Sequence, residues 1–210
     1  MIQVVKQVVK ETLFLPDLVT LLRTWQWKRQ GRPIPPPAFI KQRCVKEYGK
    51  RFLLSTLIET GTFQGDMVDA TKNTFDRIIS IELDISRYQC AKERFARFGH
   101  IRILQGDSQQ VLPGVLAVIS QPALFWLDAH YSGTGTARGT LETPIMFELQ
   151  CILNHSVRDH VILIDDARNF IGQSDYPTLD QARELITRDR GQAWISCVKD
   201  DIIRIHKPIT

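Results

Sequence analysis

Short apolar runs alternate with segments of helical periodicity from Phe52 to the end of the chain. Strands are expected near residues 54–59, 77–82, 101–104, 123–128 and 160–165. Helices are expected near residues 66–74, 85–98, 108–117, 144–155 and 178–189. This alternation predicts βαβ units, and therefore an α/β fold with a Rossmann-like parallel sheet.

The end of the chain follows a different pattern. Residues 193–198 and 202–206 are strand-like, and Lys199-Asp200-Asp201 separates them as a turn, which leaves no room for a helix. An antiparallel hairpin is therefore expected to finish the sheet. A plain dinucleotide-binding sheet has no such ending.

Residues 1–50 are expected to form an N-terminal helical cap on a Rossmann-like domain of residues 51–210. Two apolar stripes at helical spacing support the cap. Their members are Val4, Val5, Val8 and Val9, then Leu18, Leu21, Leu22 and Trp25. The proline-rich run 31–37 interrupts any helix, because proline removes a backbone donor. Packing on the core is the favoured role of the valine stripe, with a membrane-surface helix or a dimer contact as alternatives.

Composition excludes several classes of protein. With 210 residues, 43% of them hydrophobic, the chain can bury a full sheet. The lysines and arginines behind the net charge of +4 are scattered, so no nucleic-acid partner is expected. No apolar run is long enough to span a membrane, and the first residues lack the apolar core of a signal peptide, so a cytoplasmic location is expected. The four cysteines are far apart, which suggests neither zinc nor disulfides.

The turn after the first predicted strand suggests a ligand site. Gly61 and Gly65 lie four residues apart with Phe63 between them, so the G-x-G-x-x-G pattern of dinucleotide-binding proteins is absent. This turn is too bulky for pyrophosphate but suits an amino-acid tail that carries a sulfonium. Glu59 could orient the ammonium of such a ligand. These features predict S-adenosylmethionine, and the alternative is an ordinary strand-to-helix turn.

Acidic residues follow the next two strands as well. Glu82 ends the second strand, where its carboxylate could accept hydrogen bonds from both ribose hydroxyls of an adenosine. Asp107 and Ser108 follow the third strand, where either side chain could face the adenine amine. Ser108 is also a candidate helix cap, and simple capping is the alternative for this pair.

The fourth and fifth strands end in Asp128 and in the pair Asp165-Asp166. Ligands of open α/β sheets bind outside the carboxyl ends of the strands, so these carboxylates should converge on one crevice and repel one another unless a cation is present. Their oxygens suit Mg²⁺, with His130 as a softer ligand. In the alternative, Asp165 or Asp166 caps the next segment or pairs with Arg168.

Two sequence blocks carry a family resemblance. Residues 128–133 read Asp-Ala-His-Tyr-Ser-Gly, and residues 143–149 read Thr-Pro-Ile-Met-Phe-Glu-Leu. Together with the pattern of acids and glycines, these blocks resemble metal-dependent O-methyltransferases of the catechol and macrocin type. More closely, nearly the whole chain resembles a group of small bacterial class I methyltransferase-like proteins. The resemblance implies a seven-stranded class I methyltransferase sheet that ends in an antiparallel hairpin.

The resemblance also implies roles for individual residues. The implied cofactor-binding residues are Glu59, Gly61, Thr62, Phe63, Gly65, Asp66, Glu82, Leu83, Asp107, Ser108 and Asp128. Asp128, Asp165 and Asp166 would hold the metal, and Asp128 and His130 would be catalytic. One departure concerns the general base, because Tyr131 stands where the catechol-type enzymes have a lysine. His130 is the better candidate, since histidine titrates near neutral pH.

The predicted activity is S-adenosylmethionine-dependent O-methylation of a sugar or a hydroxylated natural product, assisted by Mg²⁺. The polar loop 133–140 could close over this acceptor, and Arg138 could recognise an anionic group on it. Glu148 could face the same crevice or form a surface pair. A homodimer is a possible arrangement. One alternative is a catalytically inactive, methyltransferase-like binding module in polysaccharide assembly, and another is an NAD-dependent oxidoreductase.

Overall fold

The computed structural model describes residues 19–129 and 143–208. The strands are β1 (Thr56–Thr60), β2 (Arg77–Glu82), β3 (Ile101–Gln105), β4 (Leu124–Leu127), β5 (Val161–Ile164), β6 (Ile195–Lys199) and β7 (Ile202–His206). The described part of helix α1 covers 19–29. The other helices are α2 (Ala38–Arg51), α3 (Asp66–Thr71), α4 (Ile85–Phe95), α5 (Ser108–Leu116), α6 (Ile145–Asn154) and α7 (Leu179–Arg190), and a short 3₁₀ turn spans Ala167–Asn169.

The strands form one seven-stranded sheet in the order β3-β2-β1-β4-β5-β7-β6. Strands β1 to β5 are parallel, and β7 is antiparallel to both of its neighbours, β5 and β6. The chain crosses from the outer strand β3 to β4, which lies on the other side of β1. Strand order therefore reverses between β1 and β4, and ligands of open α/β sheets bind beside such a reversal.

The predicted sheet with a terminal hairpin is confirmed, and element ends differ from the expected ones by a few residues. The hairpin turn is built by Asp200 and Asp201, whose φ values are 55° and 61°. Two consecutive residues in the left-handed region give a turn whose twist matches that of the flanking strands. Aspartate tolerates this conformation better than most residues, which explains the Asp-Asp pair.

The two faces of the sheet bury separate sets of apolar side chains, because successive strand residues point to opposite faces. On one face, Ile58 and Phe125 pack with residues of α5, α6 and α7. On the other face, Leu57 and Trp126 pack with residues of α2, α3 and α4. Each large side chain that is fully buried in this way contributes roughly 1.5–3 kcal/mol. The helices are therefore anchored on both sides of the strand ends.

Helix α2 lies within the predicted cap, and its residues Cys44 and Val45 pack against the sheet core. In α1, by contrast, Leu21, Leu22 and Trp25 are exposed. The predicted valine stripe and Leu18 lie outside the described residues, and the division into a cap of residues 1–50 and a domain of 51–210 stays a prediction. In the described ranges, no helix has the length and apolar character needed to cross a membrane.

Candidate functional site

Backbone hydrogen bonds join the ends of four parallel strands. The N–H of Asp128 donates to the carbonyl of Thr60 (2.9 Å), and that of Asp165 donates to the carbonyl of Leu127 (3.0 Å). The N–H of Gly61 likewise donates to the carbonyl of Ile81. These bonds continue the sheet ladder past the strand ends. The structure thus brings the segments that follow β1, β2, β4 and β5 into one row.

The turn after β1 requires its two glycines. Gly61 has φ +90°, and a Cβ atom there would lie 2.6 Å from the carbonyl oxygen of Asp128. Gly65 has φ +79°, and a Cβ atom there would lie 2.7 Å from the Phe95 ring. Side-chain-bearing residues rarely adopt such φ values, and both contacts are too short for a real Cβ. The glycine spacing that suggested a ligand turn therefore also reflects close packing between β1, β4 and α4.

Glu82 holds its carboxylate in a fixed orientation at the end of β2. Oε2 accepts a hydrogen bond from the backbone N–H of Phe63 (2.7 Å), and Oε1 accepts one from that of Asp84 (2.9 Å). Each carboxylate oxygen can accept a further hydrogen bond. The backbone carbonyl of Leu83 accepts a hydrogen bond from Gln105 (3.1 Å). The carboxylate of Glu82 can therefore accept hydrogen bonds from two neighbouring hydroxyl groups of a ligand without changing its orientation.

Phe63 forms the outer edge of the same turn. Its side chain is about half exposed, and its φ is +50°. The guanidinium of Arg87 lies over the ring, 4.4 Å from its centre. Asp66, at the start of α3, points outward and pairs with Arg94 (3.2 Å). The turn therefore presents an aromatic edge and a charged outer surface around Glu82.

Glu59 is buried beneath the turn. Its Oε2 accepts a hydrogen bond from the Ser80 hydroxyl, which also bonds the Thr62 hydroxyl. Burial raises the pKa of Glu59 to about 8, the hydrogen bond from Ser80 opposes the shift, and the negative charges of Asp128 and Glu82 add to it. A nearby cation would favour the ionised form. This carboxyl group is therefore arranged to respond to a positively charged ligand.

Asp107, rather than Ser108, caps helix α5. Its Oδ1 accepts a hydrogen bond from the backbone N–H of Gln109 (2.9 Å). The sequence analysis named Ser108 as the candidate cap, and the structure corrects this assignment by one residue. Ser108 is the first residue of the helix, and its buried side chain bonds Glu148.

Glu148 lies beneath the strand ends and is fully buried, so it does not form the surface pair considered from the sequence. Its Oε2 accepts a hydrogen bond from the Thr60 hydroxyl (3.3 Å), whereas Oε1 has no hydrogen-bond partner. Burial raises the pKa of Glu148 to about 7, against the hydrogen bonds from Ser108 and Thr60. Its position three residues after Ile145 and four before Ile152, both buried, could have indicated this inward orientation.

Replacing Glu148 with glutamine should weaken the pH dependence of stability. An ordinary glutamate pKa of 4.5 is raised to about 7 in the folded chain, so folding takes up a proton between these values. The contribution of this proton to the free energy of unfolding is fully present below pH 4.5, and it is lost as the pH rises through 7. Between pH 5 and pH 8 the wild type should lose roughly 2–3 kcal/mol more unfolding free energy than Glu148→Gln.

Denaturant unfolding at the two pH values measures this difference. Glu184→Gln, which changes an exposed carboxylate on α7, is the matched control and should retain the wild-type pH dependence. Equal losses of stability in the wild type and Glu148→Gln would contradict the assignment of a raised pKa to Glu148.

Two of the three expected magnesium ligands, Asp165 and Asp166, form ion pairs with cationic side chains. Lys41 Nζ, from α2, donates to Asp165 Oδ2 and lies 3.4 Å from Asp166 Oδ1. Arg168 Nη1 donates to Asp166 Oδ1 (2.8 Å), which confirms the ion pair considered as the alternative. Among residues 19–129 and 143–208, no group of three or more His, Cys, Asp or Glu side chains could hold a metal ion. Lys41 thus neutralises the pair of Asp165 and Asp166, and the expected metal-binding role of Asp128, Asp165 and Asp166 stays a prediction.

Electrostatics explain why Lys41 stays charged. Burial opposes the charge on Lys41, but attraction by Asp165 and Asp166 outweighs it, so the pKa of Lys41 is raised. Burial, followed by the negative charges of Asp128 and Asp166, raises the pKa of Asp165, while Lys41 acts in the opposite direction. One ammonium group thus lies among three carboxylates. Sequence reasoning missed Lys41, which is 124 residues away from Asp165 in the chain.

The predicted base His130, Tyr131, Arg138 and the loop 133–140 lie outside the described residues. Their expected roles therefore stay predictions.

Comparison with known proteins identifies the fold. No protein-family model matches the chain, and no curated protein matches it. A methyltransferase from Podospora anserina with bound SAH is 15% identical and has a TM-score of 0.55, with 90% of this chain and 88% of that chain covered. An O-methyltransferase from Bacillus cereus in complex with SAH is 15% identical with a TM-score of 0.56, and the match covers 90% and 91% of the two chains.

A third similar structure is the O-methyltransferase TomG from Streptomyces achromogenes, in complex with SAM. It is 16% identical with a TM-score of 0.55, and 90% of each chain is covered. Sequence identities this low establish likeness of fold alone. With its strand order and terminal hairpin, the chain has the class I methyltransferase-like fold.

Proposed function

We propose that this protein is an S-adenosylmethionine-dependent methyltransferase that acts on an oxygen of a small acceptor, either a sugar or a hydroxylated natural product. The observation that carries the proposal is the Glu82 carboxylate, which two backbone N–H groups fix at the end of β2, the strand next to β1 and hence near the strand-order reversal. The oxygen acceptor is favoured because similarly folded proteins from Bacillus cereus and Streptomyces achromogenes are described as O-methyltransferases.

The described residues fit an adenosyl ligand with a cationic amino-acid tail. Glu82 would bind the ribose hydroxyls, and Asp107 and Ser108 would lie at the adenine. The turn that contains Gly61, Thr62, Phe63 and Gly65 would surround the methionine part, with Glu59 beneath it, and Asp66, Leu83 and Asp128 complete the proposed set. When bound, S-adenosylmethionine supplies a methyl group on a positively charged sulfur.

The protein's own contribution would be orientation and proton removal. The leaving sulfur is already cationic, so alignment of the acceptor oxygen with the methyl group accounts for most of the rate gain. His130 is the proposed base, and Asp128 is the second proposed catalytic residue. The magnesium-assisted variant of this mechanism has no support from the described donor set, because Lys41 and Arg168 already contact Asp165 and Asp166.

Calorimetric titration with S-adenosylmethionine and with its demethylated product tests the proposal. Both ligands are expected to bind at micromolar concentrations, whereas NAD, as the control, should produce no binding heat. Methyl transfer from a labelled donor should then appear with some members of a panel of sugars and hydroxylated natural products. Absence of binding heat with both adenosyl ligands would contradict the proposal. Binding without transfer to any acceptor would instead favour the inactive binding module.

A further inference from the structure

The carboxylates at the end of β5 are almost completely removed from solvent. Asp165 is 3% exposed and Asp166 is 5% exposed. Buried carboxylates are costly unless hydrogen bonds or a cation compensate them. Two hydrogen bonds come from nearby groups, since the N–H of Asp166 donates to Asp165 Oδ1 (2.8 Å) and Arg168 donates to Asp166 Oδ1 (2.8 Å). A further contact comes from outside the segment.

That contact is made by Lys41, which belongs to α2 and approaches from the helical layer on one face of the sheet. Its Nζ atom bonds Asp165 Oδ2 and lies 3.4 Å from Asp166 Oδ1. The helix is held in place independently, because Cys44 and Val45 are buried against the sheet core. The ammonium group therefore belongs to a helix that is anchored in the core, and α2 fixes its position at the end of β5.

A divalent metal and this ammonium group would need the same place. Mg²⁺ binds carboxylate oxygens at about 2.1 Å and requires nearly octahedral geometry, so a metal shared by Asp165 and Asp166 would lie where Nζ now lies. Arg168 adds a second positive charge at Asp166. Two cations beside a divalent metal would also repel it. The carboxylate oxygens are suitable metal ligands. The ammonium group of Lys41, however, occupies the space that a metal would need, and Lys41 and Arg168 already compensate the negative charge.

We propose that Lys41 is a resident cation that replaces a divalent metal at the end of β5, and that its ammonium group keeps the site closed to metal ions. Lys41 is a positioning residue, because it acts by holding Asp165 and Asp166 beside Asp128. Removing its charge should convert the same carboxylates into a metal site. This role of Lys41 does not require methyl transfer, so its test can fail independently of the cofactor titration.

Titration of the full chain with Mn²⁺, followed by electron paramagnetic resonance of the free ion, tests the proposal. Wild-type protein and Lys41→Arg should show no saturable binding in the submillimolar range, because both keep a cation against Asp165. Lys41→Met should acquire one binding site, with affinity at least about tenfold above that of the wild type. Adding Asp165→Asn to Lys41→Met should remove the acquired site.

Lys50→Met is the matched control, because Lys50 is an exposed lysine in the last turn of the same helix. It should bind no more Mn²⁺ than the wild type. Saturable Mn²⁺ binding by the wild type that Asp165→Asn abolishes would overturn the proposal, and this result does not depend on whether Lys41→Met folds. A folded Lys41→Met that gains no binding would overturn it as well.

Discussion

Replacing Glu82 with alanine should lower the affinity for S-adenosylmethionine about 100-fold. The carboxylate is expected to accept two hydrogen bonds from the ribose, and two bonds to a charged group contribute about 3 kcal/mol in total. Glu82→Gln should lose most of this affinity too. The amide nitrogen cannot accept a hydrogen bond, and it would meet the N–H of Phe63 or Asp84, which both now donate to the carboxylate.

Calorimetric titration of both variants measures this loss. Glu93→Ala, which removes an exposed carboxylate from α4, is the control and should bind as the wild type does. Circular dichroism distinguishes lost binding from lost structure, because Glu82→Ala also leaves two backbone N–H groups without their acceptor. A folded Glu82→Ala variant with wild-type affinity would disprove the proposed ribose contact.

Replacing Gly61 with alanine should destabilise the fold by about 3 kcal/mol and abolish cofactor binding. The added methyl would lie 2.6 Å from the Asp128 carbonyl oxygen, and the φ of +90° is strained for alanine. Neither problem can be relieved by a side-chain rotation, because the obstructing atom belongs to the backbone. The ends of β1 and β4 must then move apart, which displaces the turn that the ligand would contact. Thermal unfolding and ligand titration measure the two effects.

Gly114→Ala is the matched control for this substitution. Gly114 lies inside α5, and nothing stands within 4 Å of the position that a Cβ atom would take. Alanine is favoured over glycine inside a helix by roughly 0.5–1 kcal/mol, so this variant should be slightly more stable than the wild type. Similar unfolding temperatures for the two variants would show that the close approach of β1 and β4 does not constrain Gly61.

Local sequence patterns were sufficient to predict the order of elements. Apolar runs such as 77–82 have the length and composition of buried strands, and the Asp-Asp turn between β6 and β7 marks the hairpin. These signals are short-range, because they reflect side-chain alternation and backbone preferences of neighbouring residues. The parallel order also places Glu82, Asp128 and Asp165 at the same edge of the sheet. The sequence therefore indicated where a site would form.

Contacts at that edge could not be read from the same patterns. The partner of Asp165 is Lys41, a lysine in a helix whose neighbouring positions carry no chemical motif. The burial of Glu148 was equally hard to predict from the sequence, because an acid in a helix is usually exposed. Here the packing of α6 on the sheet buries it completely. Both outcomes depend on which helix faces lie against the strand ends, a property of the folded chain.

The succession of strands and helices along the chain, the terminal hairpin and the acids at the strand ends follow from residue patterns within single elements, where local preferences are strong. The charge balance among those acids was decided only when α2 and α6 packed against opposite faces of the sheet. Packing brings together groups that are far apart in the chain, and burial then makes the pairing of each charge the dominant energetic term.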